Sequence, residues 1–338
     1  MEPREYTPQE LRRNAAIVVA IIVAFSCVLI YGVRHLDAIA HLASASDPAA
    51  EEQQSMPAEE SDNEDLAYPT EPFYVLLIGS DTREGTAFYT GKNGDGEPND
   101  DHADVMTLMR IDPTAHVITL VTIPRDTVLV GADSKINDTL LGNHPEQTVA
   151  AVERLTGVTV DHYLLTTFTT FELLVDSLGG VTVDVSKTIA FTDPVSAETV
   201  KVKAGKSRKL DGAEALVLAR VRKDYGEGGD RVRQENVRNL EIAIIRASLK
   251  NPEAVARVLE DPGRYIQTDM KPREMALLVS DFTTHADDVV FYSCSGPYDG
   301  GMDENGDWVI EEDIPRWTAI MQMVDSGTDP NATDIGED

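Results

Sequence analysis

The sequence is poor in cysteine, in aromatic residues and in positive charge. Its 338 residues include two cysteines, Cys27 and Cys294, and the first lies inside a continuous apolar run. The pair offers neither a disulfide framework nor a cysteine-rich metal site. Lys and Arg number 29 against 59 Asp and Glu, giving a formal charge of −30. A field of that sign repels polyanions, so no nucleic-acid partner is expected. No Walker loop, kinase motif or Gly-rich dinucleotide fingerprint occurs, and nucleotide use has no support.

Long apolar runs are equally scarce. The one that stands out, Ala15–Gly32, is apolar apart from Ser26 and Tyr31. As a helix it would reach roughly 27 Å, close to the hydrocarbon thickness of a bilayer. Arg4, Arg12 and Arg13 precede it, whereas only Arg34 follows closely. That asymmetry predicts a single-pass protein of the cell membrane, with a cytoplasmic N-terminus and the remainder extracellular. The alternative is a cleaved signal peptide with Ala43-Ser44-Ala45 as its cleavage site. That triplet lies about a dozen residues past the run, farther than such a site requires.

The negative charge is unevenly spread. Ala43–Pro72 carries nine acidic residues and no Lys or Arg, and Asp299–Asp338 carries twelve against the single Arg316. The chain between is only mildly acidic, which leaves room for a locally basic pocket that takes one small anion. The predicted organisation is a cytoplasmic end (1–14), a transmembrane anchor (15–33), an acidic flexible spacer (34–72), one folded domain (73–325) and a disordered acidic tail (326–338).

Within the folded domain the pattern alternates strand and helix. Phe73–Ile78 is a short apolar run ending at Gly79, suited to a strand covered on both faces. Val105–Ile111 and Val117–Ile123 read as a hairpin. Further strands are expected at Asp161–Thr166, Val181–Val185, Val289–Cys294 and Trp308–Ile310. Helices are expected at Pro145–Thr156, Thr170–Leu178, Asp211–Val221, Asp230–Leu249, Pro252–Glu260, Pro272–Phe282 and Ile314–Val324. The alternation predicts an α/β fold, an α/β/α sandwich around one mixed β-sheet.

Ligands of open α/β sheets gather at the carboxyl ends of strands. Gly79-Ser80-Asp81-Thr82-Arg83 and Ile123-Pro124-Arg125-Asp126-Thr127 both follow predicted strands, and His102-Ala103-Asp104 precedes one. Each alone could be a capped turn or a surface ion pair. A denser cluster follows, with five Arg and one Lys between Arg220 and Arg238. On one continuous helix Arg220 and Arg222 would project about 200° apart. They can meet one ligand only if the helix ends near Arg220. Gly226, Gly228 and Gly229 allow such a break, and Asp230 could cap the next helix. Several arginines with separated aspartates suit phosphate chemistry. Guanidinium forks pair with phosphate oxygens, and Mg²⁺ takes one or two carboxylates with phosphate and water.

The ordered set GSDTR (79–83), HADVMTL (102–108), ITLVTIPRDT (118–127), KIN (135–137), LGGVTVDV (178–185), LDGAEAL (210–216), ARVRK (219–223) and GGDRVRQ (228–234) resembles the LytR-CpsA-Psr family. The resemblance covers residues 73 to about 249 well. It implies a phosphotransferase that moves a glycan-1-phosphate from a polyprenyl pyrophosphate carrier in the membrane lipid onto peptidoglycan. Asp81 and Asp104 would then bind Mg²⁺ (or Mn²⁺) and favour deprotonation of the acceptor hydroxyl. Arg83, Arg125, Arg220, Arg222 and Arg233, with Arg231 and Gln234, would hold the pyrophosphate. Asp126, Lys135 and Asp230 would support them.

Three departures from the family pattern stand out. Roughly Glu84–Asp101 is an insertion, His102 stands where the family often has Arg, and Asn236 stands where the last arginine of Asp-x-x-Arg-x-x-Arg is expected. Arg231 is the candidate replacement. The rival functions are a hydrolase releasing the carrier phosphate to water, and a non-catalytic envelope regulator.

Overall fold

The computed structural model describes residues 69–80, 102–132, 134–192, 199–226, 228–251, 267–270, 278 and 281–331. The predicted cytoplasmic end, membrane anchor, most of the spacer, the 84–101 insertion, Asp81, Arg83 and the predicted helix Pro252–Glu260 lie outside them. Among the described residues no helix is long and apolar enough to cross a membrane.

The chain opens with β1 (Phe73–Ser80), β2 (Ala103–Asp112), β3 (Val117–Thr122) and the short β4 (Thr127–Val128). Helix α1 (Pro145–Thr156), β5 (His162–Thr167) and α2 (Phe168–Ser177) follow. Next come β6 (Val181–Val185), β7 (Ile189–Thr192), β8 (Thr199–Val202), β9 (Gly205–Leu210), α3 (Gly212–Arg220) and α4 (Gly229–Lys250). The last elements are β10 (Gln267–Thr268), β11 (Val290–Ser295), β12 (Gly300–Met302), β13 (Trp308–Glu311) and α5 (Ile314–Asp325).

Six strands form a mixed sheet in the order β10-β5-β1-β2-β3-β11. Strand β1 is parallel to β5 and antiparallel to β2, and β3 is antiparallel to β2 and parallel to β11. The carboxyl ends of β1, β3, β5 and β11 therefore share one edge with the amino end of β2. The period-two alternation of β1 divides its residues between two cores. Val75 and Leu77 face the side covered by α2, α3 and α4, with Leu174, Leu218, Leu240 and Ile244. Tyr74, Leu76 and Ile78 face α1 and α5, with Val152, Leu155, Trp317 and Ile320. Burial on both sides is why Phe73–Ile78 is an unbroken apolar run.

Local chemistry sets the helix ends. Pro145 opens α1, and Gly157 closes it at φ 76°, in the left-handed region. Asp211 and Glu214 form a reciprocal capping box at α3, and the Asp313 side chain accepts the Arg316 N–H at α5. Exchanging such a cap for Ala typically costs about 1 kcal/mol.

Two expectations are corrected. The predicted single sheet is accompanied by three smaller ones, β12-β13-β4, β6-β9 and β7-β8. Strands β7, β8 and β9 are short and largely exposed, so they carry little of the apolar alternation that marks a strand. Asp230 does not cap α4. The helix begins one residue earlier, behind Gly228 at φ 74°, and Asp230 sits inside its first turn. The described residues run to Asn331, whose side-chain amide donates to the Ser293 carbonyl at 2.7 Å.

Candidate active site

The shared strand edge opens into a cavity of about 250 Å³ between the sheet and helices α2, α3 and α4. Its depth is apolar, lined by Leu77, Leu164, Leu174, Leu216, Val237 and Ile244 among others. Its lining also includes Asp104, Arg125, Arg220, Arg222 and Arg233. An apolar hole that carries four arginines and a carboxylate is built for an amphipathic anion.

Asp104 owes its position to an irregularity in the ladder. Gly79 pairs with Val105, but Ser80 pairs with Ala103, so Asp104 is the extra residue of a β-bulge. Bulges next to functional sites re-aim a side chain out of the regular alternation. The strands also run close here. A Cβ on Gly79 would stand 3.0 Å from the Val105 Cβ, a separation that real side chains rarely tolerate.

Arg125 arrives from the neighbouring strand end, in the turn after β3, and its Nη1 pairs with Asp104 Oδ1. Asp126 lies 3.8 Å from the Arg125 Nε and accepts from Lys135 Nζ at 2.8 Å. Burial alone would lower the Arg125 pKa, but the carboxylates of Asp104 and Asp126 outweigh it and raise the value above the ordinary one. The guanidinium is a fixed cation. Its buried Nε has no hydrogen-bond partner among the described residues and lies 3.8 Å from Asp126.

The break between α3 and α4 supplies the other arginines. Helix α3 ends at Arg220, Val221 is extended, and Arg222 lies past the helix. Both residues therefore reach one cavity, as the helical-wheel argument requires. Gly229 belongs to the same joint, because a Cβ there would meet the Arg222 carbonyl at 2.1 Å. The Arg220 guanidinium lies 4.6 Å from the Phe168 ring centroid and 5.7 Å from that of Phe191. Those faces hold the planar cation by cation–π contact.

Arg233 is more deeply committed. Its Nε donates to Asp230 Oδ1 at 2.7 Å, its Nη2 to Oδ2 at 3.4 Å, and its Nη1 to the Asp104 carbonyl at 3.4 Å. Gln234 donates to Asp230 Oδ2 at 3.0 Å, and Tyr298 donates to the same oxygen at 2.5 Å. Burial would raise the Asp230 pKa, but Arg233 and these hydrogen bonds lower it to about 2. Tyr298 is pushed well above the usual phenol range by burial and by its bond to the carboxylate.

The geometry divides the predicted residues. Asp104, Arg125, Arg220, Arg222 and Arg233 share the cavity, with Asp126, Lys135 and Asp230 behind them. Gln234 is buried against Asp230 and Ser295 rather than in the cavity lining. Arg231 is exposed and stacks over the Tyr298 ring at 5.8 Å. Asn236 is buried and donates to the Tyr225 hydroxyl, so the family's second arginine has no cationic counterpart at this turn of α4. His102 faces Asp138, with 3.3 Å between its Nε2 and the carboxylate.

Several participants escape sequence reasoning. Tyr298 follows β11 in a Gly-Pro-Tyr turn, and only its place after a strand signals a role. Glu241 lines the cavity from α4, with its Oε1 accepting from Thr107 at 3.0 Å. Burial pushes its carboxyl up to about 8, so the wall is neutral there at pH 7. Cys294, buried beside Arg238, has its thiol raised to about 12 by burial and is a poor nucleophile.

The profile of the LytR_cpsA_psr family matches residues 39–323. A TagU of Halalkalibacterium halodurans, a polyisoprenyl-teichoic acid–peptidoglycan teichoic acid transferase by name, is 30% identical over 233 residues, 66% of this chain and 70% of that one. Bacillus subtilis TagV, named as the same kind of transferase, is 25% identical over 279 residues, 79% of this chain and 67% of that one. The crystal structure of B. subtilis TagV superposes with a TM-score of 0.59 at 22% identity, covering 77% of this chain and 98% of that chain. A structure described as TagT bound to LI-WTA gives 0.57 at 21% identity, covering 76% and 92%. These two likenesses establish the fold, a mixed α/β architecture with a central mixed sheet. A family match over most of the folded chain, with a 30% identical relative, settles the kinship: the chain belongs to the LytR_cpsA_psr family.

Proposed function

We propose that this chain is a cell-wall glycopolymer transferase that moves a glycan-1-phosphate from a polyprenyl pyrophosphate carrier onto a peptidoglycan hydroxyl. The names of its relatives support the class of reaction. One observation carries the reading at this site, the joining of an apolar cavity to four arginines and Asp104. Prenyl carbons entering the cavity gain about 0.8 kcal/mol per buried CH₂. Arg125, Arg220 and Arg222 then meet the pyrophosphate, and Arg233 holds the bulged Asp104 backbone in place.

The acceptor hydroxyl oxygen attacks the phosphorus that bears the glycan. The bond from that phosphorus to the bridging oxygen breaks, and prenyl monophosphate leaves with the electron pair. The hydroxyl proton passes to a carboxylate, a role assigned here to Asp104. The arginines stay in position throughout, so their charge meets the negative charge that builds on the leaving oxygen.

Asp104 is also the described residue that would hold Mg²⁺ (or Mn²⁺), with Asp81, outside the described residues, as its partner. The donor set suits the ion, because Mg²⁺ takes one or two carboxylates and completes its shell with phosphate oxygens and water. Bound there, it would neutralise phosphate charge. The N-terminal run 15–33 would anchor the chain, with the folded domain outside the cell and reached through the 34–72 spacer. Protease added to intact cells should then remove everything after about residue 43. Protection of the folded domain would sink that topology.

The transfer itself is tested by incubating the full chain with carrier-linked glycan and Mg²⁺, with and without peptidoglycan. Phosphodiester-linked glycan on peptidoglycan is expected. Release of free glycan phosphate at the same rate without acceptor would identify a hydrolase instead.

A further inference from the structure

At the far end of the sheet, His116, Asp281 and His285 converge. His116 stands in the β2–β3 turn at φ 53°, a left-handed conformation uncommon for a residue with a side chain. Asp281 and His285 come from the segment that leads into β11, 165 residues later in the chain. The His116 Nε2 lies 2.7 Å from Asp281 Oδ2, and the His285 Nδ1 donates to the Asp281 backbone carbonyl at 2.9 Å and lies 3.4 Å from its Oδ1. The two imidazoles stack at 4.0 Å between centroids and 27° between planes. One ligand atom from each residue falls within 4.8 Å of the other two, and all three residues are half-buried.

We propose that these three residues form a site for a zinc-class cation, separate from the active site. The ligand types choose the metal. Two imidazoles and one carboxylate suit Zn²⁺ and its transition-metal neighbours, whereas Mg²⁺ and Ca²⁺ prefer oxygen throughout. A tetrahedral Zn²⁺ with bonds of about 2.0–2.1 Å places ligand atoms about 3.4 Å apart, inside the 4.8 Å within which the three fall here. The half-buried position leaves a fourth place for water. Eight residue steps along β2 separate this end from Asp104, roughly 27 Å, so an ion here takes no part in the transfer. It clasps the hairpin turn to the entry of β11, where the His116 carbonyl already accepts the Val290 N–H at 3.0 Å.

The test uses the full chain, purified and stripped with a chelator, then titrated with Zn²⁺ by calorimetry and with Co²⁺ by visible absorption. With excess Mg²⁺ present throughout to hold the Asp104 site, one equivalent should bind, the Co²⁺ spectrum should show mixed nitrogen and oxygen ligation, and Zn²⁺ should raise Tm. His285→Gln and Asp281→Asn should each weaken binding by at least about 100-fold, since losing even a group that only orients a ligand costs about 10–100-fold. Asp104→Asn should leave it intact. Zn²⁺ that fails to saturate at one equivalent in the wild-type chain overturns the proposal without reliance on any variant's folding. Equal binding by the His285 variant, or loss of the site in Asp104→Asn, would overturn it too.

Discussion

Tyr298 donates its hydroxyl to Asp230 Oδ2 at 2.5 Å, joining the turn after β11 to the first turn of α4. Arg233 and Gln234 hang on the same carboxylate, so this contact helps to seat Arg233, which lines the cavity.

Asp230 should be felt in acid. Its pKa is lowered from 3.8 to about 2, so its contribution is complete above pH 3.8 and is lost as pH falls toward 2. That shift corresponds to ~2 kcal/mol. Thermal melts of wild type and Asp230→Asn between pH 2 and 6 should differ most at the upper end and converge near pH 2. A constant gap across the range would mean that the charge of Asp230 is irrelevant.

Glu241 predicts the opposite slope. Its folded pKa is raised to about 8, so the unfolded chain gives up the proton first as pH rises above the ordinary carboxyl value of 4.5. Stability contributed by the neutral acid is full below 4.5 and drains away toward pH 8. Glu241→Gln keeps an acceptor for Thr107 and removes the titration. Its Tm advantage over wild type should be near zero at pH 4.5 and grow steadily to pH 8. Parallel melting curves would show that the carboxyl is not held neutral.

Filling the cavity should separate the two halves of the ligand. Ala219 lines it from α3. Ala219→Phe should weaken binding of a long-chain polyprenyl pyrophosphate by at least about tenfold, or 1.4 kcal/mol. It should leave affinity for inorganic pyrophosphate nearly unchanged. Equal losses for both would place the prenyl chain elsewhere.

Arg220→Lys keeps the charge but loses the planar fork and its seat on Phe168. Removing one preorganised donor of this kind costs about 2.7–4 kcal/mol in the transition state. The transfer rate should therefore fall about a hundredfold or more in steady-state assays with saturating donor. An unchanged rate in an Arg220→Lys, Arg222→Lys double variant would reduce both residues to a solvated face.

Much of the arrangement was legible because it follows from periodicity and punctuation. Val181–Val185 and Pro145–Thr156 fall where alternation, Pro and Gly placed them. The helix break after Arg220 followed from the angle between Arg220 and Arg222. What stayed hidden depends on distant pairing. No local signal says that β2 carries one residue more than β1 at Asp104, or that Tyr298 returns to Asp230 from 68 residues away. Arg233 was read as a ligand cation from its motif; it lines the cavity, and its partners add a second task, holding Asp230 and the Asp104 backbone together.

The extra residue in β2 also separates two lengths that a regular hairpin would tie together. Below it, β1 and β2 pair one-to-one from Phe73↔Ile111 to Gly79↔Val105. Asp104 is thus placed by counting back along the ladder, not by counting forward from Ser80 through the connection. Residues can be added to or removed from 84–101 without carrying Asp104 away from Arg125. The length of that connection is therefore free to vary while the carboxylate stays beside Arg125.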